Sequence, residues 1–177
     1  MKTGVIKVFR RLVLVATILG FSSAVQADDY WLSQWKMQSK QGNVTSTYKI
    51  AKYYMGRGIY KAGIEWYTRA AEKGHAQAQY ELADMYMNGY KVPKSFDAAV
   101  YWYRKSAWNG YANAQFKLGL MYEHGGMIEQ DSVQAYRWLR LAVKNGALNA
   151  AEDLNELENG MTPDQIREAE VLIAGKK

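Results

Sequence analysis

The chain has 177 residues, 49% of them hydrophobic and 14% aromatic, with two prolines and no cysteine. This supports one domain with a substantial core and excludes wholesale disorder, a disulfide scaffold, a thiolate metal site and a lipidated cysteine. Of the net charge of +6, four basic and no acidic residues lie in positions 1–27, so the remainder carries 19 basic against 17 acidic residues, a net +2. That is no clustered footprint for a phosphate backbone, and no nucleic-acid partner is expected.

Residues 1–27 run from a basic start (Lys2, Lys7, Arg10, Arg11) through an apolar stretch, LVLVATILGF, to a small-residue end with Val25 and Ala27 where a signal peptidase needs small side chains. The three-part pattern predicts a secretory signal cut after Ala27. The apolar stretch is too short to cross a hydrocarbon core, which takes about 20 residues of helix. The expected location is the periplasm of a Gram-negative cell, or the exterior, with no membrane span after cleavage.

From residue 46 onward the chain copies itself. Trp66, Trp102 and Trp138 are 36 apart, as are Gly74, Gly110 and Gly146, and Ala78, Ala114 and Ala150. TYKIAKYYMGRG matches YELADMYMNG at a shift of 32, so the first loop is four residues shorter. Residues 28–45 form a degenerate half-repeat, with Ser39-Lys40-Gln41-Gly42 standing where Ala71-Glu72-Lys73-Gly74 stand later.

Each unit predicts two helices. One is near Ala78–Asn88, with Ala78, Leu82, Met85 and Tyr86 on one face; the next is near Phe96–Asn109, with Ala99, Trp102, Tyr103 and Ala107. Gly89 and Gly110 suit left-handed closure, and Pro93 lies in the loop between. Small residues at matched sites, Ala51, Ala83 and Gly119, allow close helix approach. One pair cannot bury its apolar face alone, so pairs must stack. At the end, Thr162, Pro163 and Gln165 predict a capping box with proline at the first helical position.

WY.RAA..G.A.AQ..L..MY..G followed by an Ala-x-x-Trp-Tyr element resembles the Sel1-like repeat, a relative of the tetratricopeptide repeat. The third copy departs from the pattern at Leu139 and Ala142-Val143. The resemblance implies an all-α, right-handed α/α solenoid: repeats over 46–157, then a capping helix and tail over 158–177. It further implies adaptors of envelope assemblies, modulators of receptors, or immunity proteins that block secreted toxins, phospholipases among them.

Chemistry is not indicated. His75 and His124 sit in or beside turns without partners at metal-ligand spacing, and are expected to be solvated. Gly125-Gly126 and Gly56-x-Gly58 follow no strand and precede no Lys-Ser/Thr. Neither an enzyme, a cofactor nor a metal is expected. Trp66, Trp102 and Trp138 recur in one slot and are expected to fill the core.

The expectation is a monomer that binds one protein partner, as an adaptor or regulator of an envelope protein or, alternatively, as an immunity protein against a periplasm-acting toxin such as a phospholipase effector. Comparison of copies suggests where. An apolar residue matched by charges elsewhere marks an exposed anomaly: Tyr101 against Glu65 and Arg137, Trp108 against Glu72 and Lys144, Leu120 against Asp84 and Lys52. Tyr101, Arg104 and Trp108 share one helix face, with Tyr111 close in sequence, a composition typical of binding hot spots. In related solenoids the first helices line the concave face, which here would present Tyr48, Tyr80 and Phe116; Lys52, Asp84 and Leu120; and Met55, Met87 and Glu123.

Overall fold

A computed structural model describes residues 23–175. The basic start and apolar stretch of the expected signal, residues 1–22, lie outside the described residues. Every regular element within them is helical: α1 (Ser23–Lys40), α2 (Val44–Gly56), α3 (Tyr60–Glu72), α4 (Ala76–Asn88), α5 (Phe96–Trp108), α6 (Ala112–His124), α7 (Ser132–Lys144), α8 (Ala150–Gly160) and α9 (Pro163–Ala174). Each helix from α1 to α8 packs on its neighbours in this series, and α9 folds back onto α7. The result is a right-handed α/α solenoid of stacked hairpins, α2–α3, α4–α5 and α6–α7, with α8 and α9 closing one end.

Local chemistry starts and stops these helices. Asn43, His75, Ser95 and Asp131 each accept the backbone N–H three residues on, at 2.8–3.2 Å. The turns after α1, α3, α5 and α7 place Gly42, Gly74, Gly110 and Gly146 at φ between +83° and +95°, where a side chain is strained. The half-repeat thus ends in the same turn as the full copies. Thr162 and Gln165 form the expected capping box, with Pro163 in the first turn of α9.

Small residues bring the helices together. Ala51, Ala83, Ala99, Ala114 and Ala135 are fully buried. At Gly119 a Cβ would lie 2.8 Å from Leu139 Cγ and 3.2 Å from the Leu139 backbone nitrogen.

Neighbouring hairpins are also latched by polar groups. The buried Gln79 donates from Nε2 to the Ala71 carbonyl at 2.8 Å and accepts on Oε1 from Asn109 Nδ2 at 2.8 Å. Gln115 repeats this one unit later, with the Ala107 carbonyl at 3.1 Å and Asn145 at 2.8 Å. In the half-repeat the Ser39 and Thr47 hydroxyls pair at 2.7 Å in the same register. Each amide adds a side-chain donor to a helix-terminal carbonyl that already accepts a turn N–H, from Gly74 at Ala71 and from Gly110 at Ala107, both at 3.0 Å.

The tryptophan slot differs from expectation. Trp138 is buried, but Trp66 and Trp102 are only half-buried and pack at the edges of core clusters. The fully internal slot is the next position, holding Tyr67, Tyr103 and Leu139 at 4%, 1% and 0% exposure. Rim indoles gain instead from cations: Arg69 lies 4.8 Å from the Trp66 centroid and Lys105 5.6 Å from that of Trp102.

This order of burial predicts that Tyr103→Ala lowers unfolding free energy by ~3–5 kcal/mol, through an emptied core site. Trp102→Ala should cost clearly less. Urea denaturation of the two variants checks the ranking.

Candidate functional site

The residues singled out from sequence fall into two groups. On the outer side of α5, Tyr101 and Trp108 are 50% and 53% exposed, with Arg104 exposed between them. They flank a groove of about 360 Å³ whose other wall is Met127 and Ile128, from the loop after α6, with Val100 at its base. Asp97 and Lys105 stand at its rim. Lys105 Nζ lies 4.8 Å from the Tyr101 centroid, and the Tyr101 ring meets Trp102 edge-on at 4.9 Å. Arg104 donates to the Tyr122 hydroxyl at 3.4 Å, bordering a hollow lined by Glu129, Gln130 and Asp131.

Trp108 has a second task. Its ring meets Trp138 edge-on at 5.2 Å, and the Arg137 guanidinium lies 4.9 Å from the Trp108 centroid and 5.1 Å from that of Trp138. Arg137 is therefore only 9% exposed, although its equivalence to Glu65 suggested exposure. A guanidinium between two indoles tolerates burial because the ring faces replace part of its hydration. Its Nε finds no hydrogen-bond partner, and burial pushes its pKa down.

Tyr111 does not join this face. It precedes α6 and its ring packs on Tyr80 at 5.2 Å, while Tyr80 in turn meets Tyr103 edge-on at 5.7 Å. Asp84 is half-buried and accepts a hydrogen bond from the Tyr103 hydroxyl, so it is not the freely exposed charge its copies suggested. Leu120 is half-buried against the cluster containing Tyr136 and Leu139, and Met87 packs on the cluster of Ala99, Val100 and Tyr103. The second group is thus Tyr80, Asp84 and Tyr111, on the face formed by the first helices.

Sequence reasoning missed three contributors. Met127 and Ile128 complete the α5 groove; Met127 matches Lys91 in the previous unit, the same anomaly that pointed to Trp108. Glu81 lies amid the tyrosines of α2, α3 and α4, where the copies carry Lys49 and Lys117. His75 is not a solvated turn residue. It caps α4, is half-buried, and stacks on Tyr48 at 4.4 Å and 14°. Burial pushes its pKa down.

The Sel1 repeat family matches residues 45–75, 76–111 and 112–146. Among solved structures, a protective antigen present in uropathogenic Escherichia coli strains, displaying an SLR fold, is 31% identical over 82% of this chain, with a TM-score of 0.68. The alignment spans 32% of that antigen, so this chain corresponds to about a third of its length. A Sel1 repeat protein from Oxalobacter formigenes is 29% identical over 71% of this chain and 97% of its own, with a TM-score of 0.67. No curated protein matches. Among the described residues no helix is long and apolar enough to cross a membrane.

The His75 geometry sets a pH response. The Nδ1 atom accepts the Ala78 N–H, which requires a neutral imidazole, whereas the unfolded chain takes up a proton near pH 6.5. A base with a lowered folded-state pKa loses stability as pH falls through its unfolded value. The melting temperature of the native protein should therefore drop more between about pH 7.5 and pH 5.5 than that of His75→Asn, whose cap does not titrate.

Proposed function

We propose, from the premise that this chain belongs to the Sel1 repeat family, that it is an exported, non-enzymatic module that binds one protein partner through the outer face of α5. Repeats of this kind suit protein–protein interaction. The observation that carries the reading is the half-exposed pair Tyr101 and Trp108 beside a groove, at positions where sister copies carry charge. Rigid aromatics flanked by Arg104 and Lys105 have the composition that dominates binding energy at protein interfaces. Catalysis would need nucleophile, base and oxyanion donors converging on one point, and this surface offers packing area instead.

The basic-apolar-small pattern of residues 1–27 favours work in the periplasm of a Gram-negative cell, or outside it. There the partner is an envelope protein that this module adapts or regulates. Three matched repeats make a compact surface, which also suits inhibition of a single secreted toxin, as an immunity protein does.

Affinity capture from an envelope fraction, with the protein and its Tyr101→Ala variant, separates these roles. A resident envelope protein should be retained, and Tyr101→Ala should weaken its binding about tenfold with no change in melting temperature. Capture of a toxin instead identifies the inhibitor. Unchanged affinity in Tyr101→Ala removes the α5 face from the interface. Trp108→Ala should lower both affinity and stability, because it also uncovers Arg137.

A further inference from the structure

The outer face of α5 differs from its copies in charge as well as in aromatic content. In α3 the matching positions carry Glu65, Arg69 and Glu72, an acid, a base and an acid spaced at i,i+4 and i,i+3 so that they balance one another. In α5 Tyr101 and Trp108 replace both glutamates, Lys105 keeps the base, and Arg104 stands where α3 has Thr68. The exchange that supplies the two rings therefore also leaves the base without its acids and adds a second cation beside it.

The fold does not restore the missing acids. The ion pairs among the described residues are Arg57–Asp28, Arg140–Glu170 and Arg167–Asp164, none of them at this face. Neutral rings hold the cations instead: Arg104 lies 6.0 Å from the Tyr122 centroid and donates to its hydroxyl, and Lys105 lies over Tyr101. Arg137, enclosed against the Trp108 ring, has an orphaned Nε, and the neighbour acting on its charge is Tyr122 rather than a carboxylate. A buried charge is weakly screened, so its field reaches the groove beyond the indole. Asp97 lines the opposite end of that groove, roughly 10–12 Å of helix rise from Arg104 and Lys105. Glu129 and Asp131 border the adjoining hollow, where Asp131 is engaged in capping α7.

We propose that the α5 groove takes a short segment of the partner that carries a large apolar side chain and, two residues along, an aspartate or glutamate. The apolar side chain enters between the Tyr101 and Trp108 rings onto Val100, Met127 and Ile128, and the carboxylate meets Arg104 and Lys105. The spacing fits. Alternate side chains of an extended chain project to one side about 7 Å apart, and Val100 and Arg104 are separated by about 6 Å of helix rise. A carboxylate gains charge-assisted bonds from cations whose present partners are neutral, and it displaces no acid to do so. A lysine or arginine in its place meets like charge, so basic segments are rejected. This choice of guest rests on the reading of the α5 face as the interface, but its test does not require the natural partner.

The probe is the acetylated, amidated peptide Ala-Leu-Ala-Glu-Ala, titrated into isotope-labelled protein at low salt and followed by NMR of the indole N–H groups. The expected result is a saturable shift at Trp108. Replacing the peptide's glutamate by glutamine should weaken binding about tenfold, the ratio for one charge-assisted hydrogen bond, and lysine in that place should weaken it further. Arg104→Gln, at an exposed position, should remove most of the preference for glutamate over glutamine with helical dichroism retained, and Lys105→Gln should reduce it. Lys40→Gln, an equal loss of charge at the exposed end of α1, should leave affinity unchanged. The guest is overturned if the shift does not saturate, if the glutamine or lysine peptide binds as well, if Arg104→Gln and Lys105→Gln both keep the full preference, or if Lys40→Gln weakens binding equally. Any of these, with Tyr101→Ala still weakening the captured partner, discards the acidic guest and keeps the α5 face as the interface. Capture unchanged by Tyr101→Ala discards the face itself, whatever the peptides do.

Discussion

A helical hairpin of this composition has an apolar stripe built largely from alanine and interrupted by aromatics, too little surface to hold two helices together in water. Everything else follows from the need to cover that stripe with the next hairpin. Within the close approach that alanine and Gly119 permit, the buried amides of Gln79 and Gln115 find partners in the Ala71 and Ala107 carbonyls at the ends of the preceding helices. Because each amide also accepts from an asparagine in the following turn, the burial of one unit is tied to the placement of the next. The repeat is therefore a polar register as much as an apolar one.

A frame of this kind displays its surface residues at fixed intervals, so differences between copies become differences between places. On α5 the middle unit exchanges charge for Tyr101 and Trp108, and the adjoining loop exchanges Lys91 for Met127. On α4 the same unit exchanges lysine for acid. One hairpin thus carries both departures, on separate surfaces.

The repeats, turns and capped last helix were legible because each is a local demand on residue type: glycine at positive φ, small residues at close crossings, threonine and glutamine around a helix start. Depth was less legible. Recurrence of tryptophan marks a shared slot, yet a rim slot recurs as faithfully as a core slot, and only the third indole is sealed. Charge was an imperfect sign of exposure, since Arg137 is enclosed by two indoles and Asp84 is claimed by Tyr103. A paired substitution held a clue. Asp84 and Tyr103 are 19 apart, and so are Leu120 and Leu139, so loss of the phenol donor accompanies loss of its acceptor. Tyr111 escaped the sequence argument because it belongs to the turn before α6, and turn geometry carries its ring away from the stripe and onto Tyr80.

The return of α9 onto α7 has a meaning for growth of the array. Ala169 is buried in the last cluster, Ile166 and Ile173 pack beside it, and Tyr136 donates to Glu170 at 3.1 Å. The flank that would otherwise template another hairpin is occupied by a strap from the same polypeptide. Lengthening the stack by grafting a unit behind α7 would have to evict that strap first, so sideways addition of a second molecule at this flank meets a closed door.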